Sequence, residues 1–101
     1  MRTFEKIYSL VSRIPKGKVL TYQQVANITH IGSPRIVGFA LHRNKNPQIV
    51  PCHRVVNKKG ALAKGYAFGG PSVQKEKLEN EGVLFLKNGR VDLERSLWST
   101  F

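Results

Sequence analysis

Between Lys6 and Lys75 the chain has no aspartate or glutamate, although twelve lysines and arginines fall in that stretch. Glu5 aside, every acid lies from Glu76 onward, where five acids face four bases. The body of the sequence is therefore cationic and its C-terminal quarter nearly neutral, for a net charge of +11. Such a surface suits a polyanion, because Lys and Arg release counterions from phosphates whatever the base sequence. The bases are spread through apolar-patterned sequence and do not form the juxtamembrane cluster that anionic lipid attracts. Nucleic acid is the expected partner.

Cysteine is nearly absent too. Cys52 is the only one, which excludes an intramolecular disulfide and fits a reducing compartment. His30, His42 and His53 are scattered, and no Cys-x-x-Cys or His-x-x-x-His spacing occurs, so neither a metal nor a cofactor is expected. No apolar run approaches the roughly 20 residues needed to cross a bilayer. The first residues also lack the uninterrupted apolar stretch of a signal peptide. No membrane partner is expected, and the expected location is cytoplasmic (nucleoid-associated) or nuclear. With 101 residues and 41% apolar content, residues 1–101 should form a single domain around one modest core. There are no repeats, linkers or low-complexity segments.

Phe4, Ile7, Tyr8, Leu10, Val11 and Ile14 recur at helical spacing until Pro15-Lys16-Gly17-Lys18 stops them. After Val19-Leu20, Thr21-Tyr22-Gln23-Gln24 has the form of a capping box and starts a second helix that ends near Asn27 to Thr29. Ser33-Pro34 then supplies an N-cap and a proline at the first helical position. Two helices flanking a short turn that contains Gly32 make a helix-turn-helix. At roughly 100° per residue, Ile36, Val37, Ala40 and Leu41 share one face of the third helix, and Arg35, Gly38, Phe39 and His42 the other. A cation, a glycine that admits close approach and an exposed aromatic suit a groove of DNA. Phe39 packed under a loop, with Arg35 as ordinary surface, is the competing reading.

Arg54-Val55-Val56 and Ala61-Leu62-Ala63 could pair across Asn57-Lys58-Lys59-Gly60 as a hairpin resembling a wing. Gly65 to Pro71 is a glycine-rich loop with two aromatics, and Ser72 to Glu81 reads as a last helix closed by Gly82. Val83 to Leu86 and Val91 to Leu93 flank an Asn-Gly turn and suggest a terminal hairpin. The expected fold class is mainly α with small β hairpins, a winged helix-turn-helix of three-helix-bundle type. Glu81 stands out at the negative end of its helix dipole, which disfavours a carboxylate by a few tenths of a kcal/mol. Either it is a surface coincidence, or it serves a group needing an acceptor, for which His53 is a candidate.

Cys52 admits four readings. A lone cysteine is most often a buried small hydrophobe. A metal site lacks its other ligands. A cysteine-protease dyad normally draws its histidine from a distant segment, since adjacent side chains diverge. The fourth reading is a thiol activated through water by the neighbouring base and poised beside bound DNA.

The string Pro51-Cys52-His53-Arg54-Val55-Val56 resembles the active-site signature of the O6-alkylguanine-DNA alkyltransferases, the methylated-DNA-protein-cysteine methyltransferases. Pro15 to Val19 and Thr21 to Ala26 resemble the family's segment before its recognition helix, and Arg35 to Leu41 resembles that helix. Asn44 falls at the family's spacing before the cysteine, and Glu81-Gly82 closes a match that runs from Phe4 to Gly82. The resemblance implies the family's C-terminal DNA-binding and catalytic domain, without its N-terminal domain. Residues 83–101 carry no family motif, and Phe68 occupies a position that varies in the family.

The resemblance implies direct-reversal repair. Cys52 would accept the alkyl group, Glu81 would hold His53, and His53 would take the thiol proton through water. Tyr22 would donate to guanine N3, and Asn44 would brace the turn carrying the cysteine. Arg35, Gly38, Phe39, Thr21 and Gln23 would meet DNA, with Arg35 replacing a flipped guanine in the stack. Pro51, Val55, Tyr66, Phe68 and Gly69 would surround the substrate, the Cys52 and Val55 carbonyls facing the guanine amino group. The implied partner is double-stranded DNA containing O6-alkylguanine, met through the minor groove by a monomer with no cofactor. The thioether product could not be undone by a second thiol or a metal, so each molecule would act once. Two rivals remain: an alkyltransferase-like lesion binder, a group in which the nucleophilic cysteine is replaced, and a winged helix-turn-helix regulator, which leaves the Pro-Cys-His-Arg string unexplained.

Overall fold

The computed structural model describes residues 2–99. Helix α1 spans Thr3–Val11 and ends earlier than its apolar periodicity. Arg13 and Ile14 donate back to Leu10 and Val11, a tighter three-residue spacing that still carries Ile14 into the core. Helix α2 covers Tyr22–Ile28 and is started by the expected capping box: Thr21 Oγ1 accepts from the Gln24 amide at 3.1 Å and Gln24 Oε1 from the Thr21 amide at 2.9 Å. Helix α3 covers Pro34–His42, with Ser33 Oγ accepting from the Arg35 amide at 3.1 Å.

These two helices form the helix-turn-helix, and α1 packs across both. Val37, Ala40 and Leu41 of α3 are buried, as the unrolled helix predicts, but Ile36 is 40% exposed. The buried arc is centred on Val37 and Ala40, and Ile36 lies beyond its edge. Phe39 is 54% exposed, with the Phe4 ring edge-on at 6.1 Å and the Arg43 guanidinium 4.2 Å from its ring centre.

The two-stranded sheet differs from the expected wing. Strand β1, Leu20–Thr21, pairs in parallel with strand β2, Val55–Val56, in the register Leu20 to Val55 and Thr21 to Val56. Residues 57–61 close as a turn, the Asn57 amide donating to the Ala61 carbonyl and the Gly60 amide to the Asn57 carbonyl. The Ala63 amide is diverted to the Gln74 side chain, so residues 61–63 do not pair with β2. Lys58 and Lys59 remain exposed at the tip.

Helix α4 covers Gly70–Asn80 and starts two residues before Ser72, with Pro71 in its first turn. Gly82, at φ +88°, lies one residue beyond the cap: Val83 donates to the Leu78 carbonyl and Gly82 to that of Glu79, the paired bonds of a Schellman ending. The terminal hairpin is reduced to one antiparallel bridge between Phe85 and Val91. A one-turn helix α5, Leu93–Ser96, follows, and Val19 bonds to Ser96 and Trp98 on its far side. The main core gathers α1, α2 and α3 around Cys52 and Val55; a smaller one joins Val19, Val56, Leu78, Val83 and Val91.

Candidate active site

Asn44, just past α3, is buried. Its Nδ2 donates to the Val50 carbonyl at 2.8 Å and its Oδ1 accepts from the Asn46 amide at 3.0 Å, bracing the loop that leads to Cys52. Cys52 opens a 3-10 turn, Cys52–Arg54, and is 4% exposed. The same turn buries His53 and sends its ring toward the end of α4, where Nε2 lies 3.0 Å from both Glu81 carboxylate oxygens. A carboxylate accepts only, so Nε2 carries the proton and Nδ1 the lone pair. That Nδ1 is buried and has no hydrogen-bond partner among the described residues.

Burial lowers the His53 pKa against the opposing pull of Glu81, so the ring is neutral at neutral pH and can act as a base. Burial also pushes the Cys52 thiol up, although Asn44, the local backbone amides and Lys77 favour its anion. The thiol is therefore not pre-ionised; a nucleophile here needs a base, and one is adjacent. Burial, with Cys52 nearby, pushes Tyr22 up to about 12 and keeps it a proton donor. Burial alone would raise Glu81, but hydrogen bonds from Arg54 and His53 outweigh it and hold the carboxyl below its ordinary value, ionised.

Three residues around this centre went unread in the sequence. Arg54 grips Glu81 through Nε at 2.9 Å and a terminal nitrogen at 2.6 Å, while its other nitrogen donates to the Ile14 carbonyl at 2.6 Å. The signal was available: an arginine beside the histidine in a chain with six acids. Gln74, fully buried, donates to the His53 and Val55 carbonyls and accepts from Ala63, so it holds the Cys52–Arg54 turn and the following loop together. Its only trace is the i, i+4 spacing to Leu78 on an otherwise polar helix. Lys77 bonds the Tyr66 hydroxyl at 2.8 Å.

Cys52 ends a narrow pocket of about 20 Å³ lined with Tyr22, Gly38 and Tyr66. Tyr22, Gly38, His42 and Gly65 also line a wider groove of about 620 Å³ between α3 and residues 57–65, so the two adjoin. The groove is the larger space, but the thiol is in the small one. A Cβ on Gly38 would sit 4.0 Å from Tyr22 Cε1, ordinary contact, so internal packing does not demand a glycine there. Arg35 lines the groove, and Gln23 is exposed with its amide on Asn27.

Several expected positions lie elsewhere. Thr21 is buried, with its hydroxyl engaged in the α2 cap. Pro51 lines a different groove on the His53-Glu81 side. The Val55 side chain is wholly buried and its carbonyl accepts from Gln74, because β2 lies inside the fold. Phe68 packs edge-on against Tyr66 at 5.8 Å, behind the pocket. Gly69, at φ +125°, precedes α4, where a Cβ would strike Val73 at 2.6 Å; its requirement is structural.

A helix-turn-helix with a groove along α3, and a thiol buried in a narrow pocket beside that groove, fits a DNA-binding protein with a cysteine set behind the second helix of the motif. Residues 2–83 match the family described as 6-O-methylguanine DNA methyltransferase, DNA binding domain, and the chain belongs to that family. It is 46% identical over 78 residues to a methylated-DNA-protein-cysteine methyltransferase of Methanothermobacter thermautotrophicus, covering 77% of this chain and 43% of that protein. It is 36% identical over 100 residues to a DNA base-flipping protein of Escherichia coli, covering 94% of this chain and 73% of that one. The structure of S. pombe Atl1 with damaged DNA containing O6-carboxymethylguanine superposes with a TM-score of 0.81 at 34% identity, over 98% of this chain and 99% of that one. The chain thus spans less than half of the matched methyltransferase and nearly all of the lesion-bound neighbour.

Proposed function

We propose that this protein repairs DNA by moving an alkyl group from O6 of guanine to Cys52. The observation that carries this is a buried thiol followed in the chain by a neutral histidine whose Nδ1 has no partner among the described residues while Nε2 is held by Glu81. His53 takes the Cys52 proton through water, and the thiolate attacks the alkyl carbon in line. The S–C bond forms as the C–O bond breaks, and the electron pair stays on guanine O6. Tyr22 donates to the base as it leaves. The atom under attack lies inside the duplex, so the base must be flipped out, at a few kcal/mol. About 20 Å³ has room for roughly one water, so entry of a base requires this pocket to widen.

α3 enters the minor groove, with Arg35 filling the vacated place in the stack. Arg35→Ala should therefore slow transfer from duplex O6-methylguanine by roughly 10- to 100-fold, but change transfer from free O6-benzylguanine by less than about twofold, since a free base leaves no gap. Rates on the two substrates measured side by side check this; equal losses would remove the role.

A second reading rests on the likeness to the lesion-bound neighbour across both whole chains: binding without transfer. Intact mass after incubation with an O6-methylguanine oligonucleotide separates the two. One added methyl group mapping to Cys52 is expected; tight lesion binding with unchanged mass would establish the second reading.

A further inference from the structure

Lys77 lies on α4, one turn before Glu81, and stands between the two halves of the site. On one side its Nζ donates to the Tyr66 hydroxyl at 2.8 Å and lies 5.4 Å and 5.9 Å from the centres of the Tyr66 and Phe68 rings. On the other it lines a groove of about 480 Å³ with His53, Arg54 and Glu81. An ammonium at that point is tethered, near two aromatic faces, and close enough to the reacting groups to act on them by charge.

We propose that Lys77 is a positioning residue of this site: anchored on Tyr66, it fixes the aromatic wall of the Cys52 pocket and adds a positive charge that favours the thiolate. This rests on the reading of Cys52 as a nucleophile. The groups around the thiol leave that part to Lys77. Tyr8 from α1 and Tyr22 from α2 are both raised by burial, so they stay neutral and bring no positive charge. His53 is neutral, and His42 from α3 has its Nδ1 on the Gly65 carbonyl. Arg54 is spent on Glu81, where the two opposite charges largely cancel. Lys77 favours both the Cys52 thiolate and the neutral form of His53, the two species a proton transfer from thiol to imidazole requires.

The test is the second-order rate of Cys52 alkylation by iodoacetamide against pH, in the absence of DNA. Lys77→Met should displace the profile to higher pH and lower the rate at pH 7 by about 3- to 10-fold, because the thiolate loses a favourable charge. Lys77→Arg should restore the profile, since the charge returns. A profile unmoved in Lys77→Met, or left displaced in Lys77→Arg, would overturn the charge role. Circular dichroism on each variant keeps unfolding from passing as lost reactivity. If wild-type protein shows the iodoacetamide effect but no methyl transfer from DNA, the proposed function fails and the role of Lys77 stands.

Discussion

Cys52→Ala should accept no methyl group from O6-methylguanine DNA, yet bind the lesion within about threefold of wild type, a difference of under 1 kcal/mol. Transfer is lost completely if the sulfur is the acceptor atom as proposed, because the chain has no second thiol. Binding survives because the groups expected to meet DNA, Arg35, Gly38 and Phe39, sit on α3 and none depends on the sulfur. The thiol is buried against apolar side chains, so removing it leaves a small void costing about 1 kcal/mol, or about 4–8 °C of melting temperature in a domain of this size. The turn itself is held by Asn44, Gln74 and the Cys52 amide bond to the Val50 carbonyl, none of which uses the side chain. Intact mass, a gel shift on lesion duplex and a thermal melt complete the test. Methyl removal from DNA by the alanine variant would overturn the assignment; loss of binding together with transfer would mean that Cys52 matters for shape.

The helix-turn-helix was legible because its chemistry is local. Thr21 with Gln24, and Ser33 with Pro34, satisfy helix N-termini within a few residues of chain, so a short window contains the whole cause. The parallel pair was not legible for the opposite reason. Leu20-Thr21 and Val55-Val56 are two-residue strands more than thirty positions apart, and only the packed helices bring them into register. Sequence offered the nearest partner for Val55-Val56 and so suggested a wing. The same limit applies around the thiol. His53 and Glu81 could be linked by scarcity of acids, but the Arg54 fork and the three bonds of Gln74 exist only once α4 lies behind the catalytic turn. The resemblance named Thr21 and Val55, but a family's contact positions do not show that the fold uses the Thr21 hydroxyl in the α2 cap and the Val55 carbonyl as an acceptor for Gln74.

Glu81→Gln should be the most damaging conservative change in this protein. The carboxylate accepts from two donors at once, the His53 ring and the Arg54 guanidinium. A glutamine oxygen can serve one of them, and its NH₂ then faces the other donor. Removing one partner of a buried ion pair costs about 3–5 kcal/mol; with side chains 11% and 14% exposed, solvent reduces this to about 2 kcal/mol, or about 10 °C. Transfer should fall by about 100-fold or more, because the acceptor that fixes the Nε2 proton, and with it the Nδ1 lone pair, is lost. The dependence on pH separates the two effects. Glu81 has a folded pKa below its ordinary 4.5, so its stabilisation is complete above that value and is lost as pH falls through the lower folded one. His53 is likewise lowered from 6.5, so the unfolded chain takes up the proton first and stability already declines below about pH 6.5. Cys52 is raised from 9.0, so stability declines above about pH 9, where the unfolded thiol ionises. In the glutamine variant the loss below pH 4.5 should disappear. The decline below pH 6.5 should deepen, because His53 without its carboxylate resists protonation more strongly. Melting curves from pH 4 to 10 and single-turnover transfer rates over the same range are the measurements. Unchanged transfer with unchanged melting would return Glu81 to the surface; slowed transfer with a wild-type acid limb would mean that it acts on the reaction without the buried pair described here.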